Sequence, residues 1–165
     1  MNLILCGMMG VGKTTVGVEI AKQTGRHWYD TDALITEKYG DIAEIFFNKG
    51  EGYFRQLETE IVKKLVREDN LVISVGGGLV LSKENVTLLK QNGVIVFLRA
   101  RVETLLARLQ GDTDRPLLQT EDALQNRIQA LLSERMPTYE SVADFTVDVD
   151  EKTPEKIAQE IVSKI

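Results

Sequence analysis

A single cysteine, Cys6, leaves no partner for an internal disulfide and cannot build a cysteine-based zinc site. It fits a reducing cytoplasm and reads as a small buried strand residue. Histidine is as scarce: His27 stands alone at the start of a weak strand and reads as a structural residue, which turns the search for a general base towards carboxylates. Basic residues are not in excess either. Twenty Lys and Arg against 25 Asp and Glu give a net charge of −5, which argues against general attraction to nucleic acid or anionic membrane. Any anionic ligand must therefore meet a local positive site. The longest apolar stretch, Leu71 to Leu81, is broken by Ser74 and three glycines and falls short of the roughly 20 residues of a spanning helix. Residues 1–12 are apolar but lack the positive n-region of a signal peptide, so they read as mature protein. With no repeat, low-complexity tract or linker, the 165 residues read as one domain that hides roughly 70% of its unfolded surface.

What is present alternates. Leu3 to Cys6, Leu71 to Val75, Val94 to Leu98 and Phe145 to Val149 read as buried strands, with a weaker one at His27 to Tyr29. Helical patterns fill the gaps. One runs from Lys13 to a closing Gly25. Another carries Tyr53, Leu57, Ile61 and Leu65 as its buried stripe. Further helices are expected at Glu84 to Gln91 (closed by Gly93), Val102 to Leu109 and Asp122 to Arg135, and Thr153-Pro154 suits the start of a last one. Strands alternating with helices imply a parallel sheet covered on both faces, with ligands beyond the carboxyl ends of its strands.

At the first of those ends, Gly7-Met8-Met9-Gly10-Val11-Gly12-Lys13-Thr14 matches the phosphate-binding pattern of Gly, four residues, then Gly-Lys-Ser/Thr. It also follows a strand and opens a helix, as the mechanism requires. Glycines let backbone N–H groups turn towards phosphate oxygens, and the helix N-terminus adds positive potential. Lys13 reaches the outer phosphates, and Thr14 can ligate Mg²⁺. The loop alone does not separate a kinase from a GTPase or a mechanical ATPase. No aspartate supplies the Asp-x-x-Gly switch of a GTPase, and Asn48-Lys49-Gly50-Glu51 only approximates its base-reading motif; it reads as a surface turn.

The strand at Leu71 ends without the acidic residue that usually supports the metal, so that carboxylate must come from elsewhere. Asp30-Thr31-Asp32 follows the weak second strand. One of its aspartates can assist the metal and the other a substrate hydroxyl, with Asp32 the candidate base; a helix N-cap is the competing role for either. Between Asn92 and Glu151 the basic residues are Arg99, Arg101, Arg108, Arg115, Arg127 and Arg135, with no lysine. Guanidinium forks suit carboxylates, phosphates and flat bases, although a solvated helix face competes at each position. Arg115, in the polar segment Gly111 to Pro116, suits a lid that brings charge onto a transferred phosphate, against a plain surface loop.

Taken together, Gly7 to Thr15, Asp30-Thr31-Asp32, Tyr53 to Glu58, Gly76-Gly77-Gly78, Arg115 to Leu118 and Arg135 to Tyr139 resemble the shikimate kinases over essentially the whole chain. The resemblance implies a three-layer α-β-α P-loop kinase fold with a five-stranded parallel sheet, a substrate-binding insertion at about 31–60 and a lid at about 110–122. It implies phosphoryl transfer from ATP to the 3-hydroxyl of shikimate, with one Mg²⁺ per subunit, in a cytoplasmic monomer of the aromatic amino-acid pathway. By the same resemblance Gly10, Val11, Gly12, Lys13, Thr14, Thr15, Arg108 and Arg115 bind ATP. Thr14 ligates the metal directly and Asp30 does so through water. Asp32, Arg55, Gly76, Gly77, Gly78 and Arg135 bind shikimate, and Lys13, Asp32 and Arg115 are catalytic. Glu58 is placed to orient Arg55 by an i, i+3 pair. Arg99 departs from the acidic or small polar residue common in the family. Another small-molecule kinase of the same fold, such as a gluconate or nucleoside monophosphate kinase, is the nearest alternative, and a regulatory module without turnover is a more distant one.

Overall fold

Leu3, Ile4, Leu5 and Cys6 have no exposed surface, as befits the middle strand of a sheet covered on both faces. That strand, β1 (Asn2–Cys6), pairs in parallel with β3 (Leu71–Ser74) on one side and β4 (Gly93–Arg99) on the other. Strands β2 (His27–Asp30) and β5 (Phe145–Asp148) complete a five-stranded parallel sheet in the order β2-β3-β1-β4-β5. The computed structural model describes residues 1–110 and 121–165. Register positions the ligand edge: Asp30 lies opposite Ser74, and Ser74 opposite Leu5, so the chain leaves all three strands at one level.

Helices α1 (Lys13–Thr24) and α8 (Pro154–Val162) pack on each other and on the sheet, while α5 (Lys83–Gln91) and α7 (Glu121–Val142) pack against β4. Between β2 and β3 run α2 (Thr31–Tyr39), α3 (Ile42–Lys49) and α4 (Glu51–Leu65), and α6 (Val102–Gln110) follows β4. Gly25 closes α1 with a left-handed φ, its N–H bonded to the Ala21 carbonyl. Thr153 caps α8 by accepting from Lys156 N, ahead of Pro154 at the first position. Each fully buried Leu, Ile or Val contributes roughly 1.5–3 kcal/mol, so the continuous core around β1 is the main source of stability.

Several expectations need correction. On α4 the buried stripe is Phe54, Leu57, Glu58, Ile61, Val62 and Leu65; Tyr53 is exposed, because the 3.6-residue repeat over fifteen residues drifts off a strict spacing of four. Asn48 and Lys49 belong to α3, and Gly50 alone joins α3 to α4, so no four-residue turn exists there. Gly93 opens β4 instead of closing α5: a Cβ on it would lie 2.4 Å from Ile4 Cδ1. The helix expected to stop at Arg135 continues through Pro137 to Val142. An interior proline removes one hydrogen bond, but Tyr139 is fully buried and stacks on Phe97 at 5.0 Å, and that packing carries the helix onward.

Candidate active site

The loop between β1 and α1 turns back on itself through Gly7, Gly10 and Gly12, and Gly12 has φ 103°, a conformation that glycine adopts without steric cost. Lys13 folds under this loop, donating to the carbonyls of Gly7 (2.6 Å) and Met8 (3.1 Å). An ammonium has three N–H groups, so one remains for a phosphate oxygen. Burial pushes the Lys13 pKa down to about 8, against the opposing charges of Cys6, Asp32 and Asp30. Arg108 reaches across from α6 and donates to the carbonyls of Val11 (2.6 Å) and Gly10 (3.4 Å). The loop is thereby braced by two cations, on the carbonyls of Gly7 and Met8 and on those of Gly10 and Val11.

The first turn of α1 is tied to the sheet from behind. Trp28 Nε1 donates to Ser74 Oγ at 3.0 Å, and Ser74 Oγ donates to the Lys13 carbonyl at 2.7 Å. In front, Thr14 Oγ1 donates to Asp30 Oδ2 at 3.1 Å, while Asp30 Oδ1 accepts from Ala33 N at 3.0 Å. Asp30 is therefore the N-cap of α2 and the partner of Thr14 at once, so its two competing sequence readings are compatible. Asp32 sits in the first turn of α2 and faces the same cavity, of about 440 Å³, which Gly10, Gly12, Lys13, Thr14, Thr15, Asp30, Gly77 and Arg108 also line. Burial and the Asp30 charge raise the Asp32 pKa, against Lys13 and Arg55.

The three glycines after β3 leave room that charged side chains fill. A Cβ on Gly76 would lie 2.8 Å from Asp32 Oδ1 and 3.2 Å from Glu58 Oε2. On Gly77 it would lie 3.0 Å from Arg135 Nη1, and on Gly78 2.6 Å from both Nη atoms of Arg55. Two carboxylates and two guanidinium groups thus occupy the space that side chains there would fill. Arg55 is held by Glu58 at 2.6 Å and by Glu51 at 3.2 Å, so the expected i, i+3 pair is present. Glu58 is 1% exposed, and its Oε2 has no hydrogen-bond partner among the described residues. Its pKa is raised by burial, with the Arg55 hydrogen bond and charge opposing. Tyr139 donates to the Gly77 carbonyl at 2.6 Å, and burial pushes its pKa up to about 12.

The sheet register and the helices that follow β2 and β3 bring Lys13, Thr14, Asp30, Asp32, Arg55, Gly76 to Gly78, Arg108 and Arg135 to one region. Arg115 and the rest of segment 111–120 lie outside the described residues. Arg99 points elsewhere: it pairs in two-point fashion with Asp148 (2.6 and 3.0 Å), a clasp between β4 and β5. Arg127 is exposed, His27 is exposed, and Cys6 is buried with its pKa pushed up to about 12. Sequence reasoning missed Pro154 and Ile157, which line the cavity with Arg108. Thr153-Pro154 signalled only a helix start, and nothing local indicated the Trp28-Ser74-Lys13 chain.

The sequence model of the family described as shikimate kinase matches residues 9–165. A shikimate kinase of Caldanaerobacter subterraneus subsp. tengcongensis is 46% identical over 162 residues, 98% of this chain and 94% of that protein. The structure of shikimate kinase from Acinetobacter baumannii in complex with shikimate matches with a TM-score of 0.89 at 38% identity, covering 99% of this chain and 91% of that chain. Shikimate kinase from Bacteroides thetaiotaomicron matches with a TM-score of 0.91 at 30% identity, covering 99% and 97%. Likeness of this extent in sequence and backbone spans the phosphate loop, the three-glycine turn and the helices between them, and the chain belongs to the shikimate kinase family.

Proposed function

We propose that this chain transfers the γ-phosphoryl group of ATP to the 3-hydroxyl of shikimate, giving ADP and shikimate 3-phosphate for aromatic amino-acid synthesis. The observation that carries this reading is the meeting of Asp32, Arg55 and Arg135 around three consecutive glycines, beside the phosphate loop. Two guanidinium forks suit a carboxylate, and one carboxylate suits neighbouring hydroxyls, so the set fits a small anionic polyol. The relative from Acinetobacter baumannii, solved with shikimate, supports the same acceptor.

In this reading the amides of Gly10, Gly12 and Thr15 cradle phosphates, Val11 keeps the loop turned by donating its N–H to the Met8 carbonyl at 3.2 Å, and the free N–H of Lys13 meets an outer phosphate oxygen. The 3-hydroxyl oxygen bonds to the γ-phosphorus as its proton passes to Asp32. The bond to the β–γ bridging oxygen breaks, and its electron pair leaves with ADP. Arg55 and Arg135 clamp the carboxylate, and Glu58 holds Arg55 in place. Arg108 lies against adenine, with Pro154 and Ile157 in the same wall. Thr14 and Asp30 fit a magnesium ion: hard oxygen donors side by side suffice for a cation that keeps several waters and takes its remaining ligands from phosphates. When bound, that ion neutralises charge across the β- and γ-phosphates. Residues at about 31–60 form the acceptor-binding region, and the enzyme works as a cytoplasmic monomer. The delivery of Asp32 by α2 and of Arg55 by α4 supports the first of these assignments. No helix among the described residues is long and apolar enough to cross a membrane.

The test is ADP release from Mg²⁺-ATP with shikimate, gluconate, AMP or CMP offered in parallel, beside a control without acceptor. Selective turnover of shikimate is the expected result. Selective turnover of another acceptor would remove Arg55 and Arg135 from the clamp, and ATP binding without acceptor-dependent turnover would point to a regulatory module.

A further inference from the structure

Three glycines in a row make the turn after β3 the segment with most backbone freedom to lose, yet its side-chain-free space is what admits Asp32, Arg135 and Arg55. Its conformation must therefore be fixed from outside. Gly76 N donates to Thr31 Oγ1 at 3.0 Å, and the carbonyls of Gly76 and Gly78 accept from Leu79 N and Leu81 N. The Gly77 carbonyl, in the middle, is held by the Tyr139 hydroxyl at 2.6 Å. Because a trans peptide is planar with C=O and N–H opposed, this bond also directs the Gly78 N–H away from the buried tyrosine. Tyr139 is itself immobilised: it is fully buried, stacks on Phe97 of β4, and its hydroxyl lies 4.0 Å from Met8 Sδ of the phosphate loop.

Arg135 stands four residues earlier on α7, one helical turn away. A Cβ on Gly77 would lie 3.0 Å from Arg135 Nη1 and 3.6 Å from the Tyr139 hydroxyl, so both side chains meet the same glycine. We propose that Tyr139 is a positioning residue, whose hydroxyl sets the Gly77-Gly78 peptide plane and keeps Arg135 against it, so that the acceptor is held in register with the phosphate loop. The acceptor's part in this rests on the proposed shikimate-binding role of the site, but the orientation of the peptide does not. The continuation of α7 past Pro137 then acquires a purpose, since a helix ending at Arg135 would leave the turn unpinned.

Tyr139→Phe keeps the ring and its stacking and removes only the hydroxyl. The expected result is a fall of about tenfold in kcat/KM for shikimate, with ATP affinity within about twofold of the parent. A core variant remote from the turn, Ile161→Val on α8, controls for plain destabilisation: it lowers Tm without that split between the two substrates. Spectra of protein labelled with ¹⁵N-glycine read the turn without any substrate. In Tyr139→Phe the Gly77 and Gly78 amide signals broaden or double, while those of Gly25 and Gly40 stay in place. Unchanged Gly77 and Gly78 signals would overturn the assignment of the peptide plane. Altered glycine signals with unchanged acceptor kinetics, or a loss shared equally by ATP and shikimate, would overturn the positioning role. If the parent enzyme does not use shikimate, the acceptor reading falls, and the glycine signals alone decide the part assigned to Tyr139.

Discussion

Asp32 differs from an ordinary surface aspartate in ways that bear on the reaction: it is half-buried, stands near Asp30, and so holds its proton more tightly than a free carboxylate. A base of raised pKa accepts an alcohol proton more readily, and the acidic limb of kcat should fall at a higher pH than an unperturbed aspartate gives. Asp32→Asn should lower kcat by about 10²–10⁴-fold while ATP binding, followed by calorimetry, is largely kept; near-normal turnover would remove Asp32 from the base role. Lys13 gives a second pH signature. With its pKa pushed down to about 8 from 10.5, the folded chain binds fewer protons than the unfolded chain between those values. Stability contributed by this group therefore rises as pH climbs through that window, and its ammonium carries a cost below it. ATP favours the ammonium, so its affinity should weaken above about pH 8 with measurable proton uptake on binding. An affinity independent of pH from 7 to about 9.5 would contradict the Lys13 contact.

Element by element, the Asp150 carboxylate helps to fasten the two walls of the nucleotide cavity to each other. Helix α6 begins after Arg101, and its N-terminus is satisfied from a distance: Asp150 Oδ1 accepts from Arg101 N at 3.1 Å and from Thr104 Oγ1 at 2.6 Å. Asp150 belongs to the loop after β5 that leads to Pro154, whereas α6 carries Arg108 onto the phosphate loop. Burial works to raise the Asp150 pKa, but the Thr104 hydroxyl and Arg101 amide outweigh it and hold the carboxyl below its ordinary value. The stability it contributes is therefore present above the ordinary aspartate range and lost as pH falls through the lowered value. Asp150→Ala should cost about 1 kcal/mol, read as a fall of a few degrees in Tm, and should weaken ATP more than shikimate. Asp150→Asn, which keeps an acceptor oxygen, should recover most of both. The elements least legible in the sequence are α2, a short segment with no clear apolar face, and α3, only eight residues long with Phe47 left exposed; both are held by packing against α4. The end of α7 departs from expectation for the opposite reason: a local stop signal, Pro137, yields to the burial of Tyr139.

At the scale of the whole molecule, one continuous core runs from α4 through the sheet to α8, so the described residues should unfold as a unit. Cys6 tests this, because its thiol has no exposed surface and its pKa is pushed up to about 12. Labelling of Cys6 in rising urea should follow the same transition as far-UV circular dichroism and the emission of Trp28, the one tryptophan; labelling well before that transition would reveal a sheet that opens around its central strand β1 ahead of the rest. By itself the sequence determined whatever depends on near neighbours. The phosphate loop needs its glycines, lysine and threonine in consecutive order, the helix caps are one to four residues long, and the strands are short apolar runs, so strand number, layer order and the loop are all legible. The resemblance to a known family added the pairing of distant site residues, which local chemistry could not supply. Only the tertiary structure decided how Asp30, Ser74 and Leu5 come level, and which carboxylate and guanidinium ends crowd in beside the three glycines. It also decided that Arg99 serves β5 and that Tyr139 and Asp150 reach across the fold to hold backbone from elements distant in sequence. The reason is physical: such contacts join residues tens of positions apart, and they exist only once burial of the core has fixed the register of the strands that carry them.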